Sequence, residues 1–328
     1  MKIYRKALIS VLGIVLCVSA VMSLSGCGES VPSSSAGKAS GSKATGDEAR
    51  AADGLSDLGI DPGKVGVFPD VKHDKNNKPG FQLEQPKDGD TIAVIHTSSG
   101  DITMRFFPDQ APKAVTNFIK LAESGSYNKT SFHKVIKDFT IQGGHCGSND
   151  NNPSGTSSYG GVFGDEFCDS LLNLRGAVST ASIAKDSNGS QFLINQTSAE
   201  AFKNSGGWAA LSKSWDDMTE QLKSYKGSNL LAAFLDENGN RLLNTSAVPE
   251  SVKKLYEQNG GNPKLDGAYN AADRGCTVFA QVISGMDVVD KIAASEVDQK
   301  NVPVKRVQIN SVEVTTYPVK GGSQPAKK

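Results

Sequence analysis

Phe132 to Gly144 reads FHKVIKDFTIQGG, and it holds the residues best suited to chemistry. Lys134 supplies a cation and Gln142 a carboxamide, set among Val135, Ile136, Phe139 and Ile141. That combination offers hydrogen-bond donors beside an apolar surface, followed by a flexible exit at Gly143-Gly144. Downstream, Asn188-Gly189-Ser190-Gln191-Phe192 repeats the theme of polar residues running into an aromatic one. Taken alone, Lys134 reads as a solvated strand lysine, Phe139 as core, and Gln142 and Gln191 as partners for barrel backbone. His133, a lone histidine beside a phenylalanine, reads as a structural, hydrogen-bonded residue. His145 and Cys146 are adjacent but have no further ligands nearby, and the cysteine spacing fits no zinc pattern. No metal and no cofactor are expected.

Several elements are needed to hold these groups. Thr91 to Thr97 reads as a strand and Ser98-Ser99-Gly100-Asp101 as a turn. Ile102, Met104 and Phe106 then alternate with Thr103, Arg105 and Phe107, which predicts a hairpin with one buried face. Pro112 sits where a helix starts without losing a hydrogen bond. Val115, Phe118, Ile119 and Ala122 follow at helical spacing and Gly125 ends the run. After the opening strand comes a long Gly/Asn/Ser loop, Gly147 to Gly164, of a length that is often functional. Further strands are expected at Gly176 to Ser179, Gln191 to Asn195, Thr277 to Ile283 and Val304 to Val314. The apolar phase shifts between Ile309 and Val312, which predicts a bulge. A second helix starts after Gly285, with Met286, Val289, Ile292 and Ala293 on one face. Many short strands with two helices imply a mainly β fold, a closed antiparallel barrel capped by the helices. Residues 199–263 break the pattern. Trp208, Leu211, Trp215, Met218, Leu222 and Tyr225 recur every three or four residues. A short helix around Val252, Leu255 and Tyr256 ends at Gly260, and Asn238-Gly239 is a turn between the two. The block reads as a helical insertion whose stripe packs on its own domain.

The N-terminus sets the compartment. Lys2, Arg5 and Lys6 precede an apolar run, Ala7 to Val21, too short to read first as a spanning helix. Leu24-Ser25-Gly26-Cys27 then resembles a bacterial lipoprotein signal, with cleavage before Cys27 and lipid on its thiol. The alternative is an ordinary secretory signal with an incidental cysteine. Acyl chains contribute about 0.8 kcal/mol per buried CH₂, enough in combination to hold a protein at a membrane. The expected layout is a signal (1–26), a Ser/Gly-rich tether (27–64), an arm (65–89), the barrel (90–318) and a disordered tail (319–328). Within the arm, Phe68, Phe81 and Leu83 are the residues available to pack on the barrel.

The full chain has 328 residues with 35 basic and 35 acidic side chains. Balanced charge gives no reason to expect nucleic acid as a partner. Loss of residues 1–26 removes three basic groups and no acidic ones. With Cys17 gone and Cys27 lipidated on this reading, Cys146, Cys168 and Cys276 remain, an odd number that permits one bridge at most.

In this order, FHKVIKDFTIQGG, the Gly155-Thr156 and Tyr159-Gly160 pairs, and NGSQF resemble the cyclophilins, a family of peptidyl-prolyl isomerases. The resemblance covers about Thr91 to Val314 without the insertion and implies an eight-stranded closed barrel. It implies that X-Pro bonds are turned between cis and trans over a barrier of about 18–20 kcal/mol set by amide resonance. No covalent intermediate is required, only a site that binds the twisted amide better than either planar form. The resemblance puts Lys134 at the family's catalytic arginine, Phe139 at the floor of the proline pocket and Gln142 on the substrate backbone. Thr140 stands where the family usually has methionine. Ala181 and Ser182 match a backbone-binding pair, Gln191 a pocket wall and Leu193 a second pocket phenylalanine. Leu265, in Leu265-Asp266-Gly267, is a candidate wall, and either Tyr269 or Cys276 takes the place of the pocket histidine. Trp208 or Trp215 could reach the site from the insertion. Implied partners are proline-containing segments of exported proteins, met by a monomer at the outer face of the membrane. The replacements at Lys134 and Leu193 imply a weakened isomerase, or else a non-catalytic peptide-binding module with partner specificity carried by the insertion.

Overall fold

In the computed structural model, residues 71–146, 155–182, 184–224, 242–270 and 274–318 are described. β1 (Thr91–Thr97) and β2 (Gly100–Phe106) form the expected hairpin, paired from Ile92↔Arg105 to Thr97↔Gly100. Ile102, Met104 and Phe106 enter the barrel core. α1 (Pro112–Glu123) begins at Pro112, but Ala111 before it has no side chain to cap the helix. The carboxylate of Glu166 does so instead, accepting from the backbone N–H of Lys113 (3.0 Å) and Ala114 (2.9 Å). A negative charge there also suits the helix dipole. Phe118 carries α1 onto the barrel, its ring 4.9–5.8 Å from those of Phe106, Tyr127, Phe192 and Phe279.

The opening stretch is not one strand. It folds as β3 (Ser131–Phe132), β4 (Lys134–Ile136) and β5 (Thr140–Gly143). β6 (Ala177–Thr180), β7 (Phe192–Asn195), β8 (Val278–Ser284) and β9 (Val307–Thr316) complete the antiparallel sheet. The strand order is β3-β9-β1-β2-β8-β6-β7-β5-β4. β3 pairs with β9 and β4 with β5, so residues 131–136 tie the two ends of the sheet together. The chain crosses from one end to the other at His133, whose N–H donates to the carbonyl of Gln142 (3.0 Å). This break makes nine strands where eight are expected, in a nearly closed barrel. The bulge is present: His96 pairs with Ser311 and Thr97 with Ile309, which leaves Asn310 unmatched. α5 (Met286–Ala293) packs over β2, β4 and β5, burying Val289, Ile292 and Ala293, while α1 packs over β8 and β9.

Among the described residues, the insertion holds α2 (Ala199–Asn204), α3 (Gly207–Ser224) and α4 (Glu250–Asn259). Ser198 caps α2 by accepting from the N–H of Ala201 at 3.0 Å. Gly260 ends α4 with φ +76, and a Cβ there would lie 2.4 Å from the Thr197 carbonyl oxygen. The helices have a small core of their own, where Phe202, Val248, Val252 and Tyr256 meet Leu172 and Leu174 of the barrel. The Trp208 ring packs on Phe202 and Tyr256 and its indole N–H donates to the Lys253 carbonyl (3.0 Å). Trp215 is buried as well. The expected Tyr225 contact and the Asn238-Gly239 turn lie outside the described residues, as do positions 147–154 of the long loop.

The arm is fixed differently from expectation. Phe81 does pack, edge-on to Phe107 at 5.3 Å. Leu83 stays exposed. The anchor is the fully buried Gln82, which exchanges hydrogen bonds with Leu172 (2.8 and 2.9 Å) and donates to the Gln281 side chain (2.9 Å). Asp74 adds a second fixing point, accepting from Asn76, Asn77, Gln110 and Ser170.

Candidate functional site

Strand alternation sorts the side chains into two faces. Val135, Ile141, Phe192, Ile194 and Val178 all enter the barrel core. Their neighbours Lys134, Gln142, Leu193 and Ser179 therefore share the other face. Register then aligns them, because Lys134 pairs with Gln142, Gln142 with Leu193 and Leu193 with Ser179. One row thus runs across β4, β5, β7 and β6, from a cation through an amide to an apolar side chain.

Beside Leu193 lies an apolar cluster of Ala181, Leu193 and Cys276, with Leu265 packed against it. Backbone bonds hold its members. Ala181 N–H donates to the Gln191 carbonyl (3.0 Å) and Cys276 N–H to that of Leu265 (2.9 Å). Ser182 Oγ donates to the Gly275 carbonyl at 3.3 Å. Tyr269 goes elsewhere, packing on the insertion's core with Leu172 and Tyr256. Of the two alternatives for the pocket histidine position, Cys276 is the one beside Leu193. Its thiol does not act as a nucleophile here, since burial, followed by Asp165 and Asp266, pushes its pKa up to about 12.

Phe139 stands apart. It is half-buried on the turn between β4 and β5, where Asp138 takes a left-handed conformation (φ 58). It is not among the residues packed on the apolar cluster. Its carbonyl accepts from Gln196 N–H (2.8 Å) and from Asn262 Nδ2 (3.2 Å). Asn262 stands three residues before Leu265, so the Phe139 turn and the Leu265 turn are linked. Thr140 is buried and paired with Asn195 on β7.

Lys134 is half-buried, and burial pulls its pKa below the usual lysine value. The amides next to it form a chain. Gln142 Nε2 donates to Gln191 Oε1 (2.7 Å), and Gln191 Nε2 donates to His145 Nδ1 (2.7 Å). His133 faces His145, with ring centroids 6.1 Å apart at 69°, and lies within reach of Gln191. Burial, then the charge of His145, holds the His133 pKa down. Gly144 makes this arrangement possible: with φ +79, a Cβ would meet the Phe192 ring at 2.6 Å. The NGSQF run is pinned to the same region. Asn117 of α1 donates to Gly189, Tyr127 Oη to the Ser190 carbonyl, and Cys146 N–H to Ser190 Oγ.

Sequence reasoning did not find the part of His145 in this chain, nor a buried network behind the row. Asn173 donates to the carboxylate of Asp266 from its backbone N–H (2.8 Å) and Nδ2 (3.0 Å). It accepts from Ser179 (2.6 Å) and Asn195 (3.1 Å). Tyr256 Oη, from α4, donates to the other oxygen of Asp266 at 2.5 Å. The repeated Asn and Ser residues carried no periodic signal that marked them. Among the described residues, no group of three or more His, Cys, Asp or Glu is arranged to hold a metal.

The family model for cyclophilin type peptidyl-prolyl cis-trans isomerase matches residues 92–213 and 256–314, more than half of the chain. The unmatched stretch between them lies within the helical insertion. A relative from Staphylococcus saprophyticus is 34% identical over 71% of this chain and 96% of its own length. One from Staphylococcus haemolyticus is 34% identical over 70% of this chain and 93% of its own. A third, from Staphylococcus aureus, is 32% identical over 70% and 95%. All three carry peptidyl-prolyl cis-trans isomerase in their names. A crystal structure of a cyclophilin type isomerase from Cryptosporidium parvum aligns at 23% identity with a TM-score of 0.45, covering 70% of this chain and 99% of that one.

Proposed function

This chain belongs to the cyclophilin-type peptidyl-prolyl cis-trans isomerases, and on that premise we propose that it assists the folding of exported proteins from a lipid anchor at the cell surface. Isomerisation of X-Pro bonds is its chemistry. The observation that supports the choice of groove is the row of Lys134, Gln142 and Leu193 in consecutive register, with Ala181, Cys276 and Leu265 packed around Leu193.

In this reading the proline ring enters the apolar cluster. Gln142 holds the flanking backbone, and the Lys134 ammonium donates to the amide as it twists out of resonance. Only the twisted form gains that bond in full, so the interaction lowers the barrier rather than merely tightening binding. A single mobile ammonium orients less well than the planar fork of an arginine. If one charge-assisted hydrogen bond to the twisted amide is lost, about 1.5–3 kcal/mol goes with it, a slowing of about 10- to 150-fold. A slow enzyme with an intact peptide groove is the expected result. Anchoring rests on the basic, apolar and Leu-Ser-Gly-Cys27 segments of the first 27 residues.

The test is an isomerase assay of the mature protein on a proline tetrapeptide, wild type against Lys134→Ala. Loss of turnover in the variant supports the assignment. Turnover equal to buffer in the wild type, unchanged by Lys134→Arg, would sink the catalytic part. Binding of a cyclosporin-type ligand without turnover would favour a peptide-binding module. For the anchor, labelled fatty acid should enter the wild-type protein and not Cys27→Ser.

A further inference from the structure

A carboxamide has one donating and one accepting end, so a chain of them has a direction. Here the direction is read from the bonds. Gln142 Nε2 donates to Gln191 Oε1, and Gln191 Nε2 donates to His145 Nδ1. His145 must therefore accept at Nδ1 and carry its single proton on Nε2. One N–H of Gln142 Nε2 is taken by Gln191, which turns Oε1 to the opposite side, an acceptor suited to a backbone N–H. Lys134 is the cross-strand partner of Gln142, so the cation and the acceptor stand side by side.

We propose that His145 is a positioning residue that decides, through Gln191, which end of the Gln142 carboxamide faces the bound peptide. This rests on the groove assignment made above. A proton on Nδ1 of His145 would place two donors in contact. Turning the Gln191 carboxamide over relieves that clash by giving its oxygen to His145. Its nitrogen then confronts that of Gln142, which turns in the same way. The groove now offers a donor in place of an acceptor, next to a cation that also donates. Substrate backbone N–H groups lose their partner while the apolar cluster is untouched. Other titratable groups facing this site are His133, whose ring meets that of His145 and which lies within reach of Gln191, and Lys134 beside it. Among the described residues, neither histidine is ion-paired with a carboxylate.

The experiment is a pH profile of KM and kcat for an alanyl-prolyl tetrapeptide between about pH 5 and 8, where histidine titrates. Wild type, His145→Asp and His145→Lys are compared as the full mature chain. A carboxylate accepts throughout this range and an ammonium only donates. Wild-type KM should rise about fivefold on acidification, the value of one ordinary hydrogen bond, with kcat moving less. In His145→Asp the rise should vanish; in His145→Lys the high KM should persist at about pH 8. The side-chain amide NMR signals of Gln142 and Gln191 should move together with the KM change in the wild type. A wild-type profile shared by His145→Asp, or a His145→Lys KM that falls to the wild-type value at neutral pH, overturns the inference. Gln142→Ala separates the two layers. If it raises KM while the His145 variants leave the profile unchanged, the groove stands and this inference fails. If it leaves KM unmoved, both fail.

Discussion

Lys134 concentrates most of what is unusual in this isomerase. Because burial lowers its pKa, the ammonium is lost at a lower pH than the ordinary lysine value of 10.5. The charge that strengthens its hydrogen bond is lost with the proton, so kcat/KM should fall on the alkaline side before that pH is reached. Lys134→Arg should abolish this limb and raise kcat about tenfold or more, read in one pH–rate series. The identity of the cation was legible in the sequence, since it stands in a dense local motif. The partner of Leu193 was not. Tyr269 and Cys276 lie seven residues apart, on either side of a chain excursion that no motif marks. Only the packing of Tyr269 on the insertion separates them. The hydrogen bond between Gln142 and Gln191 was equally hidden, because each glutamine reads as a separate groove residue until β5 and β7 are seen to be neighbours.

At the scale of elements, hydrophobic period and turn chemistry announced the hairpin, α1, α5 and the β9 bulge, all of which are local features. What stayed hidden were fixings made across the chain. Glu166 caps α1 from about fifty residues away, and Gln82 clamps the arm to the connection that leads into β6, at Leu172. Removing the Glu166 carboxylate with Glu166→Ala leaves two backbone N–H groups unpaired. That should cost about 0.5–2 kcal/mol, the usual worth of a helix cap, in urea unfolding. Gln82→Ala leaves the buried Leu172 backbone without partners and should cost about 1–3 kcal/mol by the same measurement. Leu83→Ala, next door but exposed, serves as the control and should be near neutral. Likewise the motif did not disclose the break at His133, because the strand pattern on both sides of it is continuous.

Over the whole molecule, the insertion and the barrel share buried polar groups. Tyr256 of α4 and Asn173 of the barrel both bond Asp266, whose burial raises its pKa to about 6. The sign follows from linkage. A carboxyl whose pKa is higher folded than unfolded favours the folded state most when protonated. Its contribution is therefore lost as pH rises from about 4 to about 6 and is constant above. Asp266→Asn should flatten this window, seen as a loss of pH dependence in the urea midpoint. Cutting out the insertion would uncover Leu172 and Leu174 and strip Asp266 of Tyr256. A shortened chain should for that reason unfold at markedly lower denaturant than the parent.

Residues 131–136 have a further meaning. They pair with β9 on one side and β5 on the other, and they carry Lys134. The ring is shut by the segment that delivers the cation, through contacts between residues as distant in sequence as Phe132 and Val307. Contacts of such long range are slow to form. A refolding molecule should therefore gain secondary structure first and turnover last, because the groove is completed at its cationic end only when β3 meets β9.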